Sequence, residues 1–250
     1  LKLKFEFQFD NRRFQVLHHG FMKEKTSDIQ PNEALAAPDR RTRSRLIEAA
    51  GIVFSEKGYD RATAREICVL ARSNPAAVNY HFGGKERLYV EVLREAHRRL
   101  MNPGALKDIL ETEGAPEDRL ERFFSGLLHS MLDPSPAAWM GRLLAREVTA
   151  PTKALEEVVE VQIRPTSVLF RALVGRLMDL PADHPAVIRG ALSTVGQFMF
   201  VFQNRRIIQL VMPELDLKPE GVDEMARHIW RYSVAGLRAV AEDAKIGSST

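Results

Sequence analysis

At 250 residues and 45% hydrophobic side chains, the chain can bury a large core in one or two domains. Its single cysteine, Cys68, excludes an intramolecular disulfide and fits a reducing, cytoplasmic setting. The net charge of +3 is unevenly spread: residues 40–101 carry 13 Lys/Arg against 7 Asp/Glu, residues 102–250 carry 17 against 20, and residues 1–39 carry 6 of each. A basic head on a slightly acidic body suits contact with DNA at one end only.

The first element is anomalous. Leu1, Leu3, Phe5, Phe7 and Phe9 alternate with Lys2, Lys4, Glu6 and Gln8, the period of a strand. One strand in an otherwise helical chain has no partner, and the recurring charges do not suit a signal peptide. Residues 1–39 are expected to be a leader, disordered or non-native, with Met22 as the native start. A β-arm that pairs with another chain is the alternative. Arg40, Arg41, Arg43 and Arg45 then open a first helix, either as a phosphate-binding or minor-groove arm or as a solvated basic start. Leu46, Ala49, Ala50, Val53 and Phe54 give it an apolar face, and Lys57-Gly58 closes it.

Residues 63–88 carry the most specific pattern. Thr63 is a good N-cap, and Glu66 three residues on completes a capping-box signature. Ile67, Leu70 and Ala71 fall on one helical face, with Cys68 on the apolar side as a small core residue. Asn74 is a second N-cap with Pro75 at the first helical position. In the helix that follows, Ala76 and Ala77 allow close approach to base edges, and Asn79, Tyr80 and His81 supply hydrogen-bonding groups. Val78 and Phe82 point the other way. Gly83-Gly84 ends the helix and Lys85 opens the next, where it is expected to bind a phosphate beside a helix N-terminus. Leu88, Val92 and Leu93 return that helix to the core. Two short helices with a small, polar outer face are the form of a helix-turn-helix whose second helix, residues 75–81, enters the major groove. The expected DNA-contacting set is Arg40, Arg41, Arg43, Thr63, Arg65, Arg72, Asn74, Ala76, Ala77, Asn79, Tyr80, His81 and Lys85.

At these residues the sequence resembles the TetR family of bacterial transcription regulators. The match runs through Phe54 to Gly58, Thr63, Ile67-Cys68, Ala71, Tyr80-His81-Phe82 and Lys85-Glu86 with Leu88. Asn74 to Gly83 is similar to the narrower CecR-type branch. One residue departs from the pattern: Arg72 stands where the turn usually carries glycine. A side chain in a left-handed turn costs roughly 1–2 kcal/mol. Either the turn differs, or the cost is borne and Arg72 faces a phosphate.

Past Arg94 to Arg99, Asn102-Pro103-Gly104 reads as a break between domains: a helix-turn-helix DNA-binding domain at 40–101 and a helical ligand-binding and dimerisation domain at 102–250. Helices are expected at 117–132, 136–149, 152–179, 184–211 and 221–243, with Pro165 bending or splitting the third. Arg142 and Arg146 share a face, as a ligand anchor or as a surface stripe pairing with Glu156 or Glu157. The uncharged run at 191–203 is too short to span a bilayer and reads as a buried helix. His129, among Leu127, Leu128, Met131 and Leu132, is a core histidine or a ligand contact.

The resemblance implies an all-α homodimer joined through its last two long helices, here 184–211 and 221–243, with Gly190, Ser193, Gly196 and Gly236 allowing close approach. It also implies a palindromic double-stranded operator and a small-molecule effector that releases it. The expected effector contacts are His129, Trp139, Arg142, Arg146, Gln197, Phe198 and Phe202, since pockets combine apolar walls with a few polar anchors. No phosphate-binding glycine loop, nucleophile elbow or metal-ligand spacing is present, so no enzyme, cofactor, metal or membrane partner is expected. The alternative function is a helical dimer that acts through protein partners without operator binding.

Overall fold

A computed structural model of the chain describes residues 33–132, 138–218 and 221–247. The alternating stretch at 1–9 and the start at Met22 lie outside the described residues. Among the described residues the structure is all helical, with no strand.

Helix α1 (Glu33–Arg61) begins inside the stretch read as a leader. Its opening Glu-Ala-Leu-Ala-Ala is strongly helix-forming, which accounts for the early start. A kink at Gly58 (φ 77°, ψ 171°) interrupts the helix near its end, a conformation glycine adopts without Cβ strain. Two short helices follow, α2 (Ala64–Leu70) and α3 (Ala77–Phe82), and then α4 (Lys85–Met101). Leu46, Ala50, Val53, Phe54, Ile67, Val78, Phe82, Leu88, Val92 and Leu93 form a closed apolar cluster beneath them. The same cluster takes in Trp139, Leu143, Ala154 and Val158 from far along the chain.

The Asn102 break is also a helix start. Asn102 turns left-handed (φ 35°), and its Oδ1 accepts a hydrogen bond from the Ala105 amide at 3.3 Å. Pro103 fills the first helical position of α5 (Pro103–Glu111). This helix was not among the expected elements. Turn residues in a row hide a start that is built from a cap plus a proline.

The remaining helices fall close to expectation: α6 (Glu117–Leu132), α7 (Trp139–Thr149), α8 (Ala154–Val158), α9 (Arg164–Met178), α10 (Pro185–Val211) and α11 (Val222–Gly247). Pro165 has a specific effect. The turn before it, Val159–Ile163, is π-helical, and the Arg164 amide reaches back five residues to the Val159 carbonyl. Proline has no N–H for the Val161 carbonyl, and the wider turn absorbs the missing bond. A second apolar cluster joins α4–α6 to α9–α11, with Phe124 stacked on Phe198 (centroids 4.4 Å apart) and on Trp230 (5.4 Å).

The uncharged run in α10 is not buried all round. Ala191, Thr194, Phe198 and Val201 turn inward, while Leu192 is 73% and Phe200 60% exposed. Among the described residues α10 is the one helix long and apolar enough to cross a bilayer by composition, and 39% of its most apolar window is buried. The lack of charge therefore serves two faces, an inner one against α11 and an outer one.

Candidate DNA-binding face

The head is built around its turns. Thr63 is extended (φ −118°), and its hydroxyl accepts the Glu66 amide at 3.2 Å, so it caps α2 as expected. The reciprocal half of the capping box is missing, because the Glu66 carboxylate pairs with Lys57 instead. Ile67, Cys68 and Ala71 are buried; Leu70 is 49% exposed and does not share that face. Cys68 Sγ lies 3.6 Å from the Pro75 carbonyl, in the core position expected for it.

The turn after α2 resolves the question posed by Arg72. The Ser73 amide donates to the Cys68 carbonyl at 2.9 Å and the Arg72 amide to Val69 at 3.1 Å. This is the paired-bond helix stop that normally puts glycine at the left-handed position. Arg72 occupies that position at φ 50°, so the strain is borne rather than avoided. Asn74 then accepts the Ala76 amide through Oδ1 at 2.8 Å and the Ala77 amide through its carbonyl at 2.9 Å. Regular helix starts at Ala77, two residues later than expected, because residues 75 and 76 form a turn around the Asn74 cap. Gly83, left-handed at φ 73°, ends it.

The faces of α3 separate cleanly. Val78 and Phe82 are buried; Asn79 is exposed and Tyr80 is 79% exposed. His81 is half-buried with its ring edge-on to Tyr80 at 4.9 Å. Arg72, Ser73, Asn74, Ala76, Tyr80 and His81 line a shallow groove of about 500 Å³ together with Thr42 and Arg45 of α1. Those two α1 residues stand outside the expected set. Arg45 belongs to the run Arg40 to Arg45, and only the fold selects it by turning it toward α3. Arg40, Arg41, Thr63 and Arg65 are exposed on the head.

Three expected contacts are placed differently. Ala77 is 7% exposed and packs mainly into the core while its edge still lines the groove beside Ala76. Arg43 is held by the head itself: its Nη2 donates to Glu91 Oε2 at 2.6 Å and its guanidinium lies 5.0 Å from the Phe82 ring. Lys85 Nζ donates to the Tyr59 and Ala62 carbonyls, at 3.0 and 3.1 Å, and sits 4.3 Å over the Tyr59 ring. Two of its three donors thus pin the loop after the Gly58 kink. Its place at the start of α4, beside carbonyls left open by that kink, explains the internal tie.

The residues expected to bind an effector are not brought together. Trp139 is fully buried in the head cluster, its Nε1 donating to Glu48 Oε2 at 2.9 Å, with Arg99 bridging to Glu48 Oε1 at 2.5 Å. Arg146 lies against the Gly58 kink, its guanidinium 2.7 Å from where a Cβ would stand. Arg142, on the same helix, is half-buried. Phe198 fills the aromatic stack of the body, and Phe202 packs toward Gly141, 3.1 Å from where its Cβ would stand. Gln197 donates to Ser233 Oγ at 3.0 Å, tying α10 to α11. His129 contacts Asp223 Oδ1 at 2.9 Å, near the surface. None of these seven lines a cavity of about 630 Å³ in the body, between α10, the 212–217 loop and α11. Sequence spacing found polar groups on apolar helices but could not tell which of them the packing had already used.

Between α4 and α7 sits a buried polar clamp. Glu147, 2% exposed, accepts from the Tyr89 hydroxyl at 2.5 Å and from the Thr152 amide and hydroxyl, both at 2.8 Å. Burial, then the Glu147 carboxylate, push the Tyr89 phenol far above its ordinary range, so it remains a donor. Further along α4, burial pushes the His97 imidazole down to about 4, and its Nδ1 is enclosed without a hydrogen-bond partner.

Comparison with known proteins supplies the context. Residues 46–92 match the family described as bacterial regulatory proteins, tetR family, and residues 116–237 match the C-terminal domain of the HTH-type transcriptional dual regulator CecR. The chain is 39% identical over 57 residues to the HTH-type transcriptional repressor NicS of Pseudomonas putida, which covers 23% of this chain and 27% of NicS. It is 25% identical over 183 residues to the dual regulator CecR of Shigella flexneri, covering 67% of this chain and 78% of CecR. Among solved structures it resembles NalD of Pseudomonas aeruginosa, described as the secondary repressor of a multidrug efflux pump, with a TM-score of 0.58 and 21% identity over 80% of this chain and 96% of NalD.

Proposed function

Because the chain belongs to the TetR family, with a body of the CecR type, we propose that it is a cytoplasmic, homodimeric, ligand-responsive transcriptional regulator rather than an enzyme. Residues 40–101 form the reading head and residues 102–250 the regulatory body. Each head lays α3 in a major groove of a palindromic operator, and a small molecule in the body favours a head spacing that no longer fits the DNA. Such a ligand acts only through its differential affinity for the two arrangements.

The observation that carries this reading is the outward face of α3. Tyr80 and Asn79 stand in solvent while Val78 and Phe82 lock the helix to the core. Arg72 and Arg45 flank them in one groove. Side chains at base edges specify sequence, and the flanking cations position the head on phosphates. Dimerisation is supported by the outer stripe of α10, where Ile188, Leu192 and Phe200 are exposed, beside Tyr232 and Val240 of α11. Exposed apolar side chains concentrated on two long helices are what an association site would cover.

The test is anisotropy or gel shift with the DNA upstream of the chain's own coding region. Tyr80→Ala is expected to cost on the order of 1–3 kcal/mol of binding with the dimer intact. Wild-type affinity in that variant removes α3 from the reading role.

A further inference from the structure

A cavity in the body bears on the chemistry of the effector. About 630 Å³ opens between the C-terminal part of α10, the 212–217 loop and the start of α11. Its floor is apolar: Val201 and Leu217 are buried, and Met225 is half-buried beside them. Its rim is acidic. Glu214, Asp216 and Glu224 all line it and are exposed; His228 is the one other ionisable side chain among the described lining residues, with no lysine or arginine. An apolar recess of this size with a few polar groups at one end is the usual form of a small-molecule site. The sign of those groups selects the ligand. A carboxylate rim repels an anion and gives a neutral molecule nothing charged to bind, but it completes the shell of a cation whose apolar part is already out of water.

We propose that this cavity is the effector site and that it takes an amphipathic cation, apolar body inward and cationic head at the Glu214–Asp216–Glu224 rim. This rests on the ligand-responsive reading above. The two helical walls are α10 and α11, and Phe200 of the outer apolar stripe lines the cavity itself, so occupancy acts directly on the subunit contact. Asp216 shapes the rim: its Oδ1 accepts the Lys218 amide at 2.9 Å, and Gly221 closes over its carbonyl where no Cβ would fit.

The experiment is titration calorimetry of the full chain with n-decyltrimethylammonium, and with n-decyl sulfate as the chain-matched anion, both below micellar concentrations. The expected result is a saturable event for the cation and binding at least about tenfold weaker for the anion, a difference of about 1.4 kcal/mol. The double variant Glu214→Gln/Glu224→Gln should lose at least about tenfold for the cation, as expected when two rim charges are removed. Met225→Trp should fill the recess and abolish binding, with circular dichroism unchanged. Equal affinity for the two probes, or cation binding that survives Met225→Trp, overturns the proposal. So does uptake of the cation by a monomeric variant when the wild-type dimer takes up neither probe, because the recess then belongs to the subunit contact. Added to the operator complex, the cation should release DNA from the wild type and not from Met225→Trp. Binding without release also overturns the effector role. Failure of the wild type to bind DNA with no ligand present would instead count against the regulator reading.

Discussion

Arg72 holds a conformation that costs roughly 1–2 kcal/mol for a side-chain-bearing residue, at the one turn that sets the angle between α2 and α3. Glycine would remove the strain, and the hydrogen bonds of the turn use only backbone atoms. Arg72→Gly should therefore stabilise the protein by about 1 kcal/mol in urea unfolding while weakening operator binding and lowering its salt dependence. A variant that gains stability and keeps its full salt dependence would show that the guanidinium is away from phosphate. His97 gives a second expectation. Its imidazole is held neutral at about 4, below the ordinary 6.5, so the unfolded chain takes up a proton first as pH falls. The stability this contributes is complete above pH 6.5 and is lost as pH drops toward 4, about 3 kcal/mol in all. Chemical denaturation across that window should be steeper with pH in the wild type than in His97→Gln. Equal slopes would mean that the histidine is already charged in the folded state.

Like α4, α7 belongs to two neighbourhoods. Trp139 and Leu143 sit in the head cluster, Glu147 clamps Tyr89 of α4, and Phe202 of the body packs toward Gly141. Trp139→Ala should cost about 3–5 kcal/mol of stability, since it empties a fully enclosed site and leaves Glu48 with one donor fewer. Urea unfolding followed by far-ultraviolet dichroism reads it directly, and a loss under about 1 kcal/mol would mean that the site collapses around the gap. The limits of sequence reading show on this same helix. Its span, from Trp139 to Thr149, is written locally in apolar spacing and is legible without a structure. The destination of Trp139 is not. Glu48 is 91 residues away, and nothing in either segment's periodicity names the other. The head motif was legible because caps, turn and core face all lie within residues 63–88. The acidic-rimmed recess was not, because it comes from the aperiodic 212–217 loop together with helix ends that carry no motif.

At the scale of the whole molecule, the charge separation and the outer face of α10 and α11 define two ends with different tasks. Gly196 and Gly236 both face open space, with nothing within 4 Å of an added Cβ. Gly190 differs, because a Cβ there would run into Leu237, so it serves the crossing of α10 with α11 inside one subunit. Gly196→Arg can accordingly be made without disturbing the subunit's own packing. It should turn a dimer into a monomer in light scattering, with helicity unchanged and operator affinity sharply reduced. A dimer of undiminished mass would place the contact on another face.

The reading head cannot be treated as a cartridge. Arg40–Thr250 form one compact unit, and four interior side chains of the head arrive from beyond residue 138. A cut after Met101 would take away an indole and three aliphatic neighbours, and the fragment left behind would be hollow. Grafting a foreign head onto this body, or this head onto another, calls for exchanging α7 and α8 with it. Gly51 is small because Trp139 lies flat against it, so any enlargement at one must be answered by a reduction at the other. The packing of the head is therefore set by a matched pair of distant segments, and a library that varies only residues 40–101 searches a smaller space than it appears to.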